Sequence, residues 1–566
     1  MNSVFFLALR RMRAPLIVLI VAHAVAILGL VLMPGVNAAG EPEHLSFFHA
    51  LYVISYTATT IGFGEVPYPF SNAQRLWLIF SIYMSVIAWA YAIGKLLTLL
   101  QDKGFRQVLA AKAFSRSVRR LHTPFYLVCG YGETGSLLLD GLTEYGKMAV
   151  VLDINPDRLS ELDLQDYPVY LPGLCADARE PETLVLAGID HPLCQGVVAL
   201  TNDDQANLSI AATVKLLRPE LPVLSRAESL EAAATLRNFG AEHVINPYET
   251  FGAHLAMAIH NPGLYVLHAW LARTPDTPLL HPLRPPAGKW VVFGYGRFGK
   301  AVVRHLSKEG VETLVVDAHP EENGCVGCVQ IKGTEEETLL AADITNAAGI
   351  VTGTDNDISN LSIAMAGQRL NPELFTVVRK NRRTNSRLFD TFNAHLTIQP
   401  SHVTAEEILY LLTAPLLSRF FFLSYWQDND WANQLISRIS GVVREDTVPD
   451  IWEFDISAEE AGGAYAHLRG GGEIRLLDLL RDPSDRGQRL SCIPLLLVRG
   501  NESILLPEDS ALLHKGDQLL FCGSRDAHYK HPLLVENQNV FDYALTGIQR
   551  PSGSIWRWVE QALSRR

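Results

Sequence analysis

The chain of 566 residues is sparing with cysteine, with seven in all, at positions 129, 175, 194, 325, 328, 492 and 522. An odd number spread so thinly excludes the disulfide framework of a small secreted protein, and reduced, mostly buried thiols are expected. Cys325-Val326-Gly327-Cys328 is the only close pair, and without a second pair or a suitably spaced histidine it defines no zinc site. Net positive charge is lacking too: a formal charge of -12 and a pI near 5.8 exclude nucleic acid as the main partner, which asks for a basic face. Lysine and arginine are missing altogether from Ala14 to Gln74, the stretch where the apolar residues concentrate.

That gap opens with Ala14 to Met33, an apolar run of about 20 residues, the length a helix needs to cross a hydrocarbon core. Arg10, Arg11 and Arg13 precede it; a signal peptide would have a shorter apolar part followed by a small-residue cleavage site. Arg75 to Leu100 is a second span, and Lys95, Lys103, Arg106, Lys112, Arg116, Arg119 and Arg120 crowd its far end. Two spans and this charge asymmetry place both chain ends in the cytoplasm. Leu45 to Ala58 is apolar but too short to cross, so it is expected as a re-entrant helix whose negative dipole end points along the chain into Thr59-Thr60-Ile61-Gly62-Phe63-Gly64-Glu65.

Within that loop, Thr60-Ile61-Gly62-Phe63-Gly64 has the pattern of the TVGYG loops that line potassium-selective pores. Successive carbonyls converge on one axis only if alternate residues take backbone angles that glycine adopts cheaply. Gly62 and Gly64 meet that need, the Thr60 hydroxyl adds an inner oxygen, and Ile61 and Phe63 pack behind. One chain supplies one loop, so a closed axial site implies a tetramer. Glu65 is expected to brace the loop; Glu41 and Glu43 leave the outer mouth acidic. The second span has no glycine near its middle, where Tyr83-Met84-Ser85 stands, and its one glycine is Gly94. Ile93, Leu97 and Leu100 recur at helical spacing near its inner end, forming a stripe that faces either a pore gate or lipid and the first span.

From Pro124 the texture changes to short aliphatic strands alternating with amphipathic helices. Gly130-Tyr131-Gly132-Glu133-Thr134-Gly135 follows a strand and opens a helix, and Asp153 closes the next strand. The set returns 164 residues later as Gly294-Tyr295-Gly296-Arg297-Phe298-Gly299 and Asp317. Thr201 to Ala211 is answered by Thr354 to Ala364, and Arg226 by Arg379. This is an internal duplication of a dinucleotide-binding unit. The glycines let backbone N–H groups approach a pyrophosphate, and the carboxylates bond ribose hydroxyls and repel a 2′-phosphate, favouring NAD(H), ADP or AMP over NADP. Arg226 and Arg379 suit phosphate, or a surface or domain interface.

The combination resembles bacterial two-span potassium channels with tandem RCK domains, the GsuK type, whose RCK domains are similar to those of Trk and Ktr uptake systems. The resemblance covers nearly the whole chain. It implies a multi-domain fold: an α-helical pore domain (1–102), a basic linker (103–122), a first Rossmann-like α/β RCK lobe (123–248), crossover helices (249–286), a second lobe (287–400), further crossover helices (401–440), a small α+β C-terminal lobe (441–529) and a tail (530–566). It also implies a homotetramer in the bacterial inner membrane with an eight-domain cytosolic ring, K+ as permeant ion, a nucleotide as effector, and Ca2+ among the family's effectors, although no spacing identifies metal ligands. In the family an Asp after the third strand contacts the adenine side; Asp177 keeps it, whereas Gly333-Thr334-Glu335 has lost it. His254, His260 and His268 are expected to pack or cap. A membrane-anchored NAD-dependent oxidoreductase is the competing class, but no motif for proton or hydride transfer accompanies the glycines, so no enzyme is expected. A Trk/Ktr-like uptake component would carry four pore repeats where this chain has one.

Overall fold

The computed structural model describes residues 2–37, 41–272, 284–330, 335–443 and 448–548. The chain divides into two compact units, Met1–Arg120 and Leu121–Arg566.

In the first unit, helices α1 (Asn2–Leu32) and α3 (Asn72–Gln101) contain the two stretches long and apolar enough to cross a membrane, Arg10–Leu32 and Asn72–Gln101. Ser71 and Gln74 form a capping box that starts α3 cleanly. The Trp77 indole donates to the Ala26 carbonyl at 3.0 Å and its ring lies against Gly29, where a Cβ would overlap it, so small residues on α1 let the helices approach. Between them, α2 (Phe47–Ala58) has 12 residues, about 18 Å of helix, too short to span. Its Ala50, Val53, Ile54 and Tyr56 are buried with Ala26 and Leu30. A short antiparallel pair, Pro34–Val36 with Pro42–His44, precedes it. The stretch expected as a basic linker forms a helix, α4 (Lys103–Val118), because Asp102 ends α3 and caps α4 through Phe105 N at 2.8 Å. Arg11 Nη1 pairs with the same Asp102 at 2.8 Å.

The second unit holds two six-stranded parallel sheets of identical topology. In the first the spatial order is Gly173–Cys175, Met148–Asp153, Phe125–Cys129, Cys194–Ala199, Val223–Arg226, His243–Ile245. In the second it is Val329–Gln330, Thr313–Asp317, Trp290–Phe293, Gly349–Thr352, Phe375–Arg379, Leu396–Ile398. Both are the doubly wound order, with the switch point beside the first strand. The strands are buried along nearly their whole length, which is why they read as continuous aliphatic runs.

The crossover helices exchange lobes. Pro247–His260 leaves the first lobe and packs on helix Arg297–Lys308 of the second, with Gly252 against the Ala301 backbone. Pro400–Thr413 leaves the second and packs on helix Glu133–Glu144 of the first, where Gly141 makes room for Leu409. Their successors, Pro262–Leu271 and Pro415–Ser424, share a core with helix Asn429–Val442 and the C-terminal sheet through Trp270, Phe420, Leu435 and Leu495. That sheet is antiparallel, ordered Asp450–Asp455, Gln518–Gly523, Cys492–Arg499, Glu502–Leu505. Of the stretch expected as a tail, residues 530–548 continue the lobe: helices Arg525–Glu536 and Gln538–Thr546 pack on it, with Leu534 and Phe541 fully buried, while 549–566 lie outside the described residues.

The turn between Cys325 and Cys328 brings their Cα atoms to 5.9 Å, within the reach of a disulfide. Cys129, Cys194, Cys492 and Cys522 are buried free thiols, and Cys175 is a half-buried one.

Candidate pore loop and nucleotide clefts

The loop after α2 has the alternation the sequence implied. Thr60, Gly62 and Gly64 sit at φ 64°, 65° and 94°, with Ile61 and Phe63 between them outside the left-handed region. A residue in left-handed conformation at every second position turns successive carbonyls toward one side. Three contacts anchor the loop. Ile61 N donates to the Tyr56 carbonyl at 2.9 Å, and the Tyr56 hydroxyl donates to the Gly64 carbonyl. Phe63 stacks on Tyr52 at 6.3 Å between ring centroids. Beyond the loop, Glu65 accepts from Arg75 Nε at 2.7 Å and Nη2 at 3.0 Å, and from Phe70 N at 2.8 Å. This bidentate brace ties the loop to the start of α3; Arg75 is a partner the sequence did not reveal. Ile61 and Phe63 remain 59% and 62% exposed on the single chain, and Ile93, Leu97 and Leu100 are exposed along α3.

The two glycine turns repeat one construction. Gly130 at φ 109° and Gly294 at φ 92° end the first strand of each lobe. A Cβ on Gly135 or Gly299 would overlap the carbonyl of Gly130 or Gly294, so only glycine lets the following helix, Glu133–Glu144 or Arg297–Lys308, seat its N-terminus against the strand. Thr134 and Phe298 are buried in those first turns, while Gly132 and Gly296 are the helix N-caps. Asp153 accepts from Tyr131 N and Asn155 N, each at 2.7 Å, and Arg158 reaches it at 3.4 Å. Asp317 accepts from Tyr295 N at 2.6 Å, His319 N at 2.7 Å and Asn323 Nδ2 at 2.9 Å. Burial pushes the Asp317 carboxyl up, but these three hydrogen bonds outweigh it and hold it below the usual carboxylate range. Asn207 and Asn360, part of the repeated segment, are fully buried latches: each donates to the carbonyls of Thr201 and Arg226, or of Thr354 and Arg379.

Arg226 and Arg379 are buried at the ends of equivalent strands, and the Nε of each has no partner. Arg226 Nη1 reaches Thr134 Oγ1 at 3.3 Å, which sets it beside the first glycine turn. A buried guanidinium with an unused donor at a helix N-terminus suits a phosphate. The sequence missed Glu228 and Tyr248. Glu228 pairs with Arg226 and, across the lobes, with Arg297 at 2.6 Å. The Tyr248 ring lies under Arg297 and Arg379 at 5.9 and 5.2 Å. Reciprocally, Glu133 accepts from Arg383 N at 3.1 Å and Gln399 Nε2 at 3.2 Å of the second lobe. The residue after the second glycine of each turn thus reaches into the other lobe. Asp177 is held by Arg179 at 2.6 Å; its counterpart segment at 333–334 lies outside the described residues.

A cavity of about 360 Å³ lies between the crossover helices and the last strand of the second lobe, lined by His254, His268, Glu406, Glu407 and Tyr410 among others. His268 stacks on Phe421 at 4.0 Å and lies tilted against His254 at 4.5 Å, so both histidines pack, as expected. Burial holds His254 down at about 4 and pushes Glu407 up to about 7 against the lowering effect of the Thr250 hydroxyl, which donates to it at 2.8 Å. His260 is exposed and 3.6 Å from Glu309.

Two apolar spans, a half-length helix and a glycine-alternating loop, followed by paired Rossmann-like lobes, define a two-span membrane protein with tandem α/β domains. The ion channel family model matches residues 15–102 and the TrkA-N domain model matches 126–247 and 290–400. The chain belongs to the two-span ion channel proteins that carry TrkA-N, or RCK, domains. Among its relatives, probable potassium channel protein 2 of Methanocaldococcus jannaschii is 27% identical over 39% of this chain and 63% of its own length. Potassium channel protein 1 of the same organism is 25% identical over 41% of this chain and 69% of its own. Among solved structures, the GsuK channel is similar over 97% of this chain and 100% of its own, at 17% identity and a TM-score of 0.45.

Proposed function

We propose that this chain is the subunit of a tetrameric potassium-selective channel whose opening is set by an adenine nucleotide, NAD(H), ADP or AMP, bound at the glycine turns of its tandem lobes. The observation that carries the pore reading is the left-handed alternation at Thr60, Gly62 and Gly64 directly beyond the C-terminus of α2, with Glu65 braced on Arg75. Thr60, Ile61, Gly62, Phe63 and Gly64 supply the carbonyls that replace the hydration shell of K+. The exposed Ile61 and Phe63 side chains call for neighbouring copies, and one loop per chain calls for four. Two relatives described as potassium channel proteins support the choice of ion.

The nucleotide reading rests on the unpartnered Arg226 and Arg379 Nε atoms and on the fixed carboxylates of Asp153 and Asp317. The glycine turns present backbone N–H groups to a pyrophosphate, Gly130, Gly132 and Gly135 in the first lobe and Gly294, Gly296 and Gly299 in the second; the carboxylates take the ribose hydroxyls. Among the described residues no group of three His, Cys, Asp or Glu side chains is arranged to hold a metal, and a Ca2+ effector has no ligand set there. A nucleotide moves the channel only by its different affinity for open and closed forms. With four chains in a bacterial inner membrane and both termini cytoplasmic, eight lobes form the ring, and α4 links them covalently to α3. Reconstitution in a planar bilayer, with the K+/Na+ reversal potential read before and after NAD is added, tests this: absent K+ selectivity removes the pore reading, and a current indifferent to NAD, ADP and AMP removes the nucleotide reading.

A further inference from the structure

The two lobes differ in what stands behind the ribose carboxylate. In the first, helix Pro156–Leu164 fills the connection from Asp153 to the strand Gly173–Cys175. In the second, the connection from Asp317 to Val329–Gln330 is shorter and has no α-helix. It is instead a turn closed by Cys325 and Cys328, with Gly324 and Gly327 at φ 65° and 78° supplying the left-handed positions. Asn323, two residues before Cys325, donates to Asp317 Oδ1 at 2.9 Å. Cys325 N closes back on the Pro320 carbonyl at 2.8 Å, and Val329 and Gln330 pair with Val316 and Asp317. Pairing of these two thiols therefore ties down the segment that carries a partner of the ribose carboxylate. Both cysteines are half-buried, and Val326 between them is fully exposed.

We propose that Cys325 and Cys328 are a reversible thiol–disulfide modification site that sets the order of residues 318–330 and, through Asn323, the nucleotide affinity of the second cleft. The affinity half of this rests on the nucleotide reading above. The chemistry is exchange with a low-molecular-weight disulfide: one cysteine thiolate attacks it, a mixed disulfide forms and one small thiol leaves with a proton. The second thiolate then attacks the protein sulfur of the mixed disulfide, closing the Cys325–Cys328 bond and releasing the second small thiol. Two electrons pass from the protein dithiol to the small disulfide. In a cytosolic domain, where structural disulfides are rare, a half-buried close pair on a surface turn suits a sensor.

The test uses the full-length protein in detergent, poised in glutathione buffers of different thiol/disulfide ratio. Pairing is read by mass spectrometry of the alkylated peptide. Amide hydrogen exchange across an NAD titration gives a separate midpoint for each turn, from peptides spanning 126–136 and 290–300. Reduction is expected to speed exchange in 318–330 and to shift the second midpoint to roughly fivefold higher NAD, the scale of one lost hydrogen bond, while the first stays put. Cys325→Ser and Cys328→Ser are expected to behave as reduced protein in every buffer, and Asn323→Ala to shift the midpoint with the disulfide intact. Failure of the cysteines to pair, or an exchange rate and midpoint indifferent to pairing, overturns the proposal. If NAD protects neither turn, the nucleotide reading falls, and exchange in 318–330 still decides the switch: faster exchange on reduction, absent in Cys325→Ser, supports it, and no change overturns it.

Discussion

Replacing Glu407 by glutamine removes a carboxyl from the cavity between the crossover helices while keeping the oxygen that accepts from Thr250. In the folded protein this carboxyl is pushed up to about 7 from an ordinary 4.5, burial being the cause. A raised acid binds more protons folded than unfolded between those two values, so its contribution is fully present below pH 4.5 and is lost as pH rises through 7. At 1.36 kcal/mol per unit the loss is about 3 kcal/mol at pH 8. Glutamine has no proton to lose. Glu407→Gln is therefore expected to be more stable than the parent by about 3 kcal/mol at pH 8, and by a few tenths at most at pH 4.5. For a cooperative unit of roughly 450 residues this is a Tm gain of about 3 °C, measurable by tryptophan fluorescence of the full chain in detergent. His254, held down at about 4, has the opposite sign and loses stability as pH falls below 6.5, but it is present in both proteins and cancels in the difference. An equal gap at both pH values, or a variant less stable at pH 8, refutes the reasoning.

Glu65→Gln breaks the charge-assisted brace to Arg75 and is expected to lower K+ selectivity, read as a reversal potential moved toward zero in opposed K+ and Na+ solutions; Glu65→Asp, which keeps the charge, is expected to lose less. Leu97→Asp puts charge in the apolar stripe of α3 and is expected to raise the macroscopic current at zero nucleotide; unchanged conduction removes Leu97 from the gate. Gly299→Ala drives a methyl into the Gly294 carbonyl and is expected to abolish NAD protection of the second turn while leaving the first, as read by hydrogen exchange; retained protection means the helix has another way to seat.

Residues that act within one short segment or one repeat were legible in the sequence. The alternation at Gly62 and Gly64 follows from what a carbonyl-lined axis demands, and the offset between Gly130 and Gly294 exposes the second lobe because the same turn must be built twice. The brace on Glu65 is legible but not its partner, ten positions away at the start of α3. Glu228 and Tyr248 went unseen for the same reason: they lie outside the duplicated motifs and meet Arg297 only because the lobes pack together. Which lobe each crossover helix covers was also hidden, since an apolar face fits either equivalent helix and Gly141 and Gly252 make room in both. The Cys325–Cys328 pair was visible as spacing, but its closure depends on the glycine turn and the edge strand around it.

The exchange of crossover helices has a consequence for how the two lobes have come to differ. In a pair of identical lobes, each position on such a helix would find its own copy at the equivalent place across the pair. Fusing the lobes in one chain lifts that constraint. His254 and Glu407 stand at equivalent places, 153 residues apart like Pro247 and Pro400, yet one is a base and the other an acid. Glu133 and Arg297 are a second such pair of unlike residues, 164 apart. A symmetric ancestor would have placed like charges at both, so the duplicated chain owns an asymmetry that no assembly of identical single lobes can reach.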